Sequence, residues 1–80
     1  MKKTKEQYEN SEYIISIREV QEGHYNVNFT RKREDRLIGC FAIHADSFEE
    51  ACESFVNGIT ENTEYRISLD SLKLYGVRYD

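Results

Sequence analysis

Phe48, Ala51, Cys52, Phe55, Val56 and Ile59 recur at i, i+3, i+4, i+7, i+8 and i+11, a spacing that draws one apolar stripe along a helix. Just ahead of them Ser47, with Glu50 three residues on, has the form of a capping box, and Asp46 with Glu49 offers the same pair one position earlier. Asn57-Gly58 supplies a left-handed stop. No other segment carries this period. One amphipathic helix buries its stripe only against a second surface, so the rest of the chain has to provide a sheet.

The flanking segments read as strands. Tyr13 to Val20 is rich in β-branched residues, with Tyr13, Ile15 and Ile17 on one face. Gln21-Glu22-Gly23-His24 is a turn in which Gly23 supplies positive φ. Tyr25, Val27 and Phe29 then alternate with Asn26, Asn28 and Thr30. Leu37 to His44, apolar at both parities, suits a central strand. After the helix, Tyr65, Ile67 and Leu69 alternate as a fourth strand, and Leu72 to Tyr79 forms a fifth with a bulge at Gly76. The expected fold is α+β: an antiparallel sheet of four to five strands, in the order β-β-β-α-β-β, with one helix packed on one face. Residues 1–11 lack periodicity and read as a mobile tail that Tyr8 could anchor, leaving 12–80 as a single domain.

The sheet face away from the helix would carry Ile14, Ser16, Arg18, Val20, Asn26, Asn28, Ile38, Cys40, Ala42 and Tyr75. Its apolar members make it a candidate homodimer contact, a partner site or the seat of the tail. These alternatives stay open at the level of sequence.

Eighty residues suit one thin core and no deep two-lobed cleft. No apolar run approaches the roughly 18 residues that a membrane span needs. The first ten residues are charged and lack the apolar centre of a signal peptide. A cytoplasmic location is therefore expected, with Cys40 and Cys52 as reduced thiols.

Charge is unevenly placed. Between Arg36 and Arg66 there is no lysine or arginine, while Asp46, Glu49, Glu50, Glu53, Glu61 and Glu64 all fall there, giving that stretch −6 in a chain of net charge −4. Glu49, Glu50 and Glu53 lie off the apolar stripe. Capping and the helix dipole account for Glu49 and Glu50 but not for Glu53, Glu61 or Glu64. These six form the candidate partner-binding set, directed at a protein with a basic surface.

Arg31, Lys32, Arg33 and Arg36 gather at a hairpin tip and form, together with the open sheet face, the alternative nucleic-acid-binding set. Glu34 and Asp35 inside the same loop, and a pI near 5.2, weigh against direct nucleic-acid binding. His24, Cys40, His44 and Cys52 show no zinc-ligand spacing, so no metal or other cofactor is expected. Neither cysteine sits on a glycine-rich elbow and no oxyanion donor can be named, so the chain reads as a non-enzyme.

The segment from Gly23 to Gly58, GHYNVNFTRKREDRLIGCFAIHADSFEEACESFVNG, resembles the strand, charged turn, strand, cap and helix core of several compact phage anti-CRISPR proteins. It is also similar to many small bacterial proteins that share an A-D-S-x-E-E-A cap. The resemblance covers under half of the chain. It implies a small cytoplasmic inhibitor that binds a nucleoprotein defence complex by its surface, with Asp46, Glu49, Glu50 and Glu53 occupying lysines and arginines that otherwise hold nucleic acid. Glu61 and Glu64 extend that set. The chain departs from strong nucleic-acid mimics, which are more acidic, and its basic loop has no part in mimicry.

Overall fold

The computed structural model describes residues 2–80. The element order is β1 (Lys3–Glu9), β2 (Tyr13–Gln21), β3 (His24–Arg31), β4 (Arg36–His44), α1 (Phe48–Asn62) and β5 (Lys73–Tyr79), with single 3-10 turns at Lys32–Glu34 and Leu69–Ser71. The strands make one five-stranded antiparallel sheet in the order β4-β3-β2-β1-β5, and α1 packs on one face. This is the α+β architecture expected, with its strands drawn differently from the two ends of the chain.

The first difference is β1. Residues 3–9 are not a tail but an inner strand, paired with β2 from Lys5↔Arg18 to Glu9↔Ile14 and with β5 from Lys3↔Tyr79 to Glu9↔Lys73. Its helix-side face carries Glu6 opposite Ile17 and Tyr8 opposite Ile15, where apolar residues would be expected. Glu6 is only 3% exposed. It is tolerated because Tyr8 Oη donates to its carboxylate at 2.9 Å and Lys3 Nζ lies 3.4 Å away. Asn10 turns the chain into β2 by accepting from the backbone N–H groups of Glu12 and Tyr13.

The second difference is that 65–69 forms no strand. The place beside β2 is taken by β1, so this segment crosses in extended and 3-10 conformation, with Ile67 buried and Tyr65 packed edge-on against Phe29 at 5.6 Å. The third concerns β4, which is an edge strand and not a central one. A register shift opposite Phe29/Thr30 pairs Phe29 with Gly39 and Thr30 with Leu37, leaving Ile38 as the extra residue. Ile38 therefore packs on the core while Leu37 is 51% exposed, the reverse of strict alternation. The run is apolar at both parities because the bulge exchanges its faces midway.

Ser47 caps α1 as its spacing requires, its hydroxyl accepting from Glu50 N–H at 3.1 Å. The helix passes through Asn57-Gly58, however, and ends at Asn62 with Thr63 as C-cap. One further turn buries Ile59 with the rest of the stripe, and Asn62 and Thr63 side chains bond the carbonyls of Gly58 and Ile59. Gly23 does adopt the left-handed φ of 77° in the β2–β3 turn.

All six stripe residues are buried against Tyr13, Ile15 and Ile17 of β2 and Tyr25, Val27 and Phe29 of β3. Phe29, with no exposed surface, is the centre of the core, its ring lying 5.0 Å from Tyr13, 5.3 Å from Phe55 and 5.6 Å from Tyr65. Helix α1 lies over β2, β3 and β4. On β1 the helix-side Glu6 is buried and Tyr8 half-buried, whereas Leu74 and Val77 on the same side of β5 are exposed.

Candidate partner-docking surface

At 100° per residue the buried side chains of α1 occupy its sheet-facing half. Glu49, Glu50, Glu53 and Glu61 fall within an arc of about 120° outside it. All four are exposed, as are Asp46 just before the cap and Glu64 just beyond the C-cap. The helix thus gathers four carboxylates on its outer arc, with Asp46 and Glu64 exposed at its two ends. Among the described residues no ion pair involves any of them; the cations that do form pairs go to Glu19, Glu6, Glu34 and Glu9 instead. Arg66, the basic residue following the acidic stretch, spends its guanidinium on the carbonyls of Thr60, Thr63 and Tyr65 at the helix end.

The field of this flank reaches its neighbours. Burial pushes the Cys52 thiol up to about 12, helped by Glu6 and Glu53. Burial also raises the Tyr8 phenol, with its hydrogen bond to Glu6 and the charges of Glu6, Cys52 and Glu49 adding to it. Tyr25 is raised by burial, by Glu19 and, further off, by Asp46 and Glu50. A thiol held protonated in this way is a poor nucleophile.

Glu49 and Glu53 stand on the edge of α1 that faces β1. Together with Tyr8, Cys52, Leu69 and Leu72 they line a concavity whose floor is apolar and whose helical wall is acidic. The exposed apolar side chains of β5 continue it, Leu74 (53% exposed) directly opposite Tyr8 and Val77 opposite Glu6. This trough was not visible in the sequence, because it depends on residues 3–9 entering the sheet.

The alternative basic set does not come together as a free cluster. Arg31 pairs with Glu34, also bonds Tyr13 Oη at 3.3 Å, and lies over the Tyr13 and Tyr65 rings. Lys32 pairs with Glu9 and Arg36 with Glu34. Arg33 alone of the four has no carboxylate partner among the described residues. A different basic row forms on the open sheet face. Arg18 on β2, Lys5 on β1 and Arg78 on β5 stand directly opposite one another across three adjacent strands, with Asn26 next in line on β3. None of the three basic residues is in an ion pair among the described residues. Beside them Gly76 leaves a notch edged by Lys5, Gln7 and Arg78.

Across that open face Ile14 is half-buried, Val20, Cys40 and Ala42 are exposed, and Ile38 has turned to the core. Residues 3–9, one of the candidates to cover this face, lie within the sheet instead. The larger exposed apolar side chains sit on β5, with Tyr75 at 73% and Tyr79 at 54%. His24 and His44, with ring centroids 4.3 Å apart, meet across β3 and β4, while no group of three or more metal-ligating side chains occurs among the described residues. Among the described residues no helix is long and apolar enough to cross a membrane. Comparison with protein-family models, curated proteins and solved structures finds no match to this chain.

Proposed function

We propose that the chain is a small non-enzymatic inhibitor that docks its acidic α1 flank on a basic protein surface, one that otherwise holds nucleic acid. The observation that carries this is the set of four exposed carboxylates on the outer arc of α1, with Asp46 and Glu64 exposed at its ends, none of the six in an ion pair among the described residues. A solvated helix ordinarily interleaves opposite charges at i, i+4; here Glu49 and Glu53 occupy that spacing with like charge. Like charge kept at some cost to helix stability makes sense where a partner supplies the cations. Complementarity of this kind accelerates association and selects the partner. The resemblance of residues 23–58 to compact anti-CRISPR proteins makes a cytoplasmic nucleoprotein defence complex, and a phage or mobile-element origin, the setting for the proposal. Charge reversal of Glu49, Glu50 and Glu53 to Lys should abolish partner capture from host lysate while circular dichroism and melting temperature stay close to wild type. Capture unchanged by the reversal would reduce the flank to ordinary solvated surface.

A second reading has one observation in its favour, the Arg18–Lys5–Arg78 row. Of the two parts of the nucleic-acid alternative, the β3–β4 loop and the open sheet face, it favours the sheet face. Three phosphate contacts to a single strand give a slope of roughly −2 in log K against log salt. A gel shift between moderate and low salt tests it, and a shift that survives Lys5→Ala, Arg18→Ala and Arg78→Ala together would remove the row from consideration.

A further inference from the structure

We infer that the trough between α1 and β5 is the seat of a basic amphipathic helix from the partner. This rests on the docking reading above and specifies the chemistry of what docks. Five strands at about 4.8 Å spacing make a sheet roughly 19 Å across, and a helix with its side chains is about 10 Å wide. Helix α1 makes its sheet contacts with β2, β3 and β4, so a second helix would lie beside it over β5 and the Tyr8 end of β1, above the buried Glu6. The floor of that space is apolar and accessible: Leu69 is 40% exposed, Leu74 53% and Val77 38%, with Tyr8 and Leu72 half-buried between them and α1. The seven residues of β5 extend roughly 23 Å, about four helical turns.

One wall of the trough is acidic. Glu49 and Glu53, one helical turn apart, overlook the floor and form no ion pair among the described residues; Lys3, which borders a pocket with Glu49, pairs with the buried Glu6, which also accepts from Tyr8. The charges nearest the opposite rim, Lys73 and Arg78, stand opposite Glu9 and Lys5 and so point to the other face of the sheet. An apolar floor with a negative wall selects a helix with leucine-like residues on one face and lysine or arginine beside them. It rejects an acidic amphipathic helix by charge and a purely basic coil by the lack of apolar contacts.

Fluorescence anisotropy with three designed peptides tests this: an amphipathic leucine–lysine helix, its leucine–glutamate counterpart, and oligolysine of the same charge. Only the leucine–lysine helix should bind well. Leu74→Ser with Val77→Ser should weaken it about tenfold or more, while Leu37→Ser, equally exposed on the far edge strand, should leave it unchanged. Oligolysine binding as tightly as the leucine–lysine helix would overturn the trough and leave the acidic-flank reading standing. So would failure of the leucine–lysine helix alongside lysate capture that still depends on Glu49, Glu50 and Glu53. Equal binding of the leucine–glutamate helix would overturn the assignment of the acidic wall.

Discussion

Gln7→Pro isolates the most consequential feature of the fold, the inner position of β1. Gln7 lies opposite Ser16 on β2 and Gly76 on β5, so its backbone belongs to a ladder on each side. Proline removes one ladder donor, a net loss of about 1 kcal/mol, and strands the carbonyl it served, a further 1–3 kcal/mol. A total of about 2–4 kcal/mol is a large part of the 4–12 kcal/mol expected of an 80-residue domain. At roughly 4–8 °C per kcal/mol the melting temperature should fall by at least ~8 °C. Gln7→Ala is the control, because it removes the side-chain bonds to Glu9 and Ser16 and keeps the backbone donor. Thermal melts followed by circular dichroism give both numbers. Proline and alanine variants melting within about 2 °C of each other would mean that residues 3–9 are outside the sheet, and the trough would go with them.

Phe29→Ala, which empties the centre of the aromatic cluster, should cost about 3–5 kcal/mol in urea unfolding, whereas Asn28→Ala on the opposite face should stay within about 0.5 kcal/mol. Ser47→Ala should lose about 1 kcal/mol with the cap, measured the same way. The raised Cys52 thiol predicts the alkaline side of the stability profile: the folded state keeps a proton that the unfolded chain releases from pH 9.0 upward, so stability is full below that point and declines as pH rises towards about 12. Tyr8 acts in the same direction from 10.0 upward. Cys52→Ala should therefore flatten the fall in urea midpoint between pH 9 and 10, and an unchanged slope would show that the thiol is not held protonated by the fold.

The helix and the two strands β2 and β3 were legible because burial there follows a strict period. Ser47, Phe48, Phe55 and Ile59 on one side, and Ile15, Ile17, Val27 and Phe29 on the other, stand where their spacing puts them. Polarity hid β1. Its helix-side residues are Glu6 and Tyr8, which are buried by satisfying each other rather than by being apolar. Once that strand is overlooked, Tyr65, Ile67 and Leu69 become the next alternating set, although only Ile67 is buried and the segment is no strand. The bulge at Ile38 exchanged two side chains between faces, a one-residue event that alternation cannot register. The acidic flank was readable because five of its six members lie on or just before one helix. The trough and the Arg18–Lys5–Arg78 row were not, since both are products of strand order and span residues more than 60 positions apart.

Zero-length carbodiimide cross-linking of the captured complex, mapped by mass spectrometry, tests the central claim most directly, because it joins carboxylates to partner lysines only where the two are in contact. Cross-links should concentrate at Glu49, Glu50 and Glu53, with Asp46, Glu61 and Glu64 next. Cross-links confined to Glu12 or Asp35, on the β1–β2 and β3–β4 turns at the other end of the sheet from the start of α1, would contradict it.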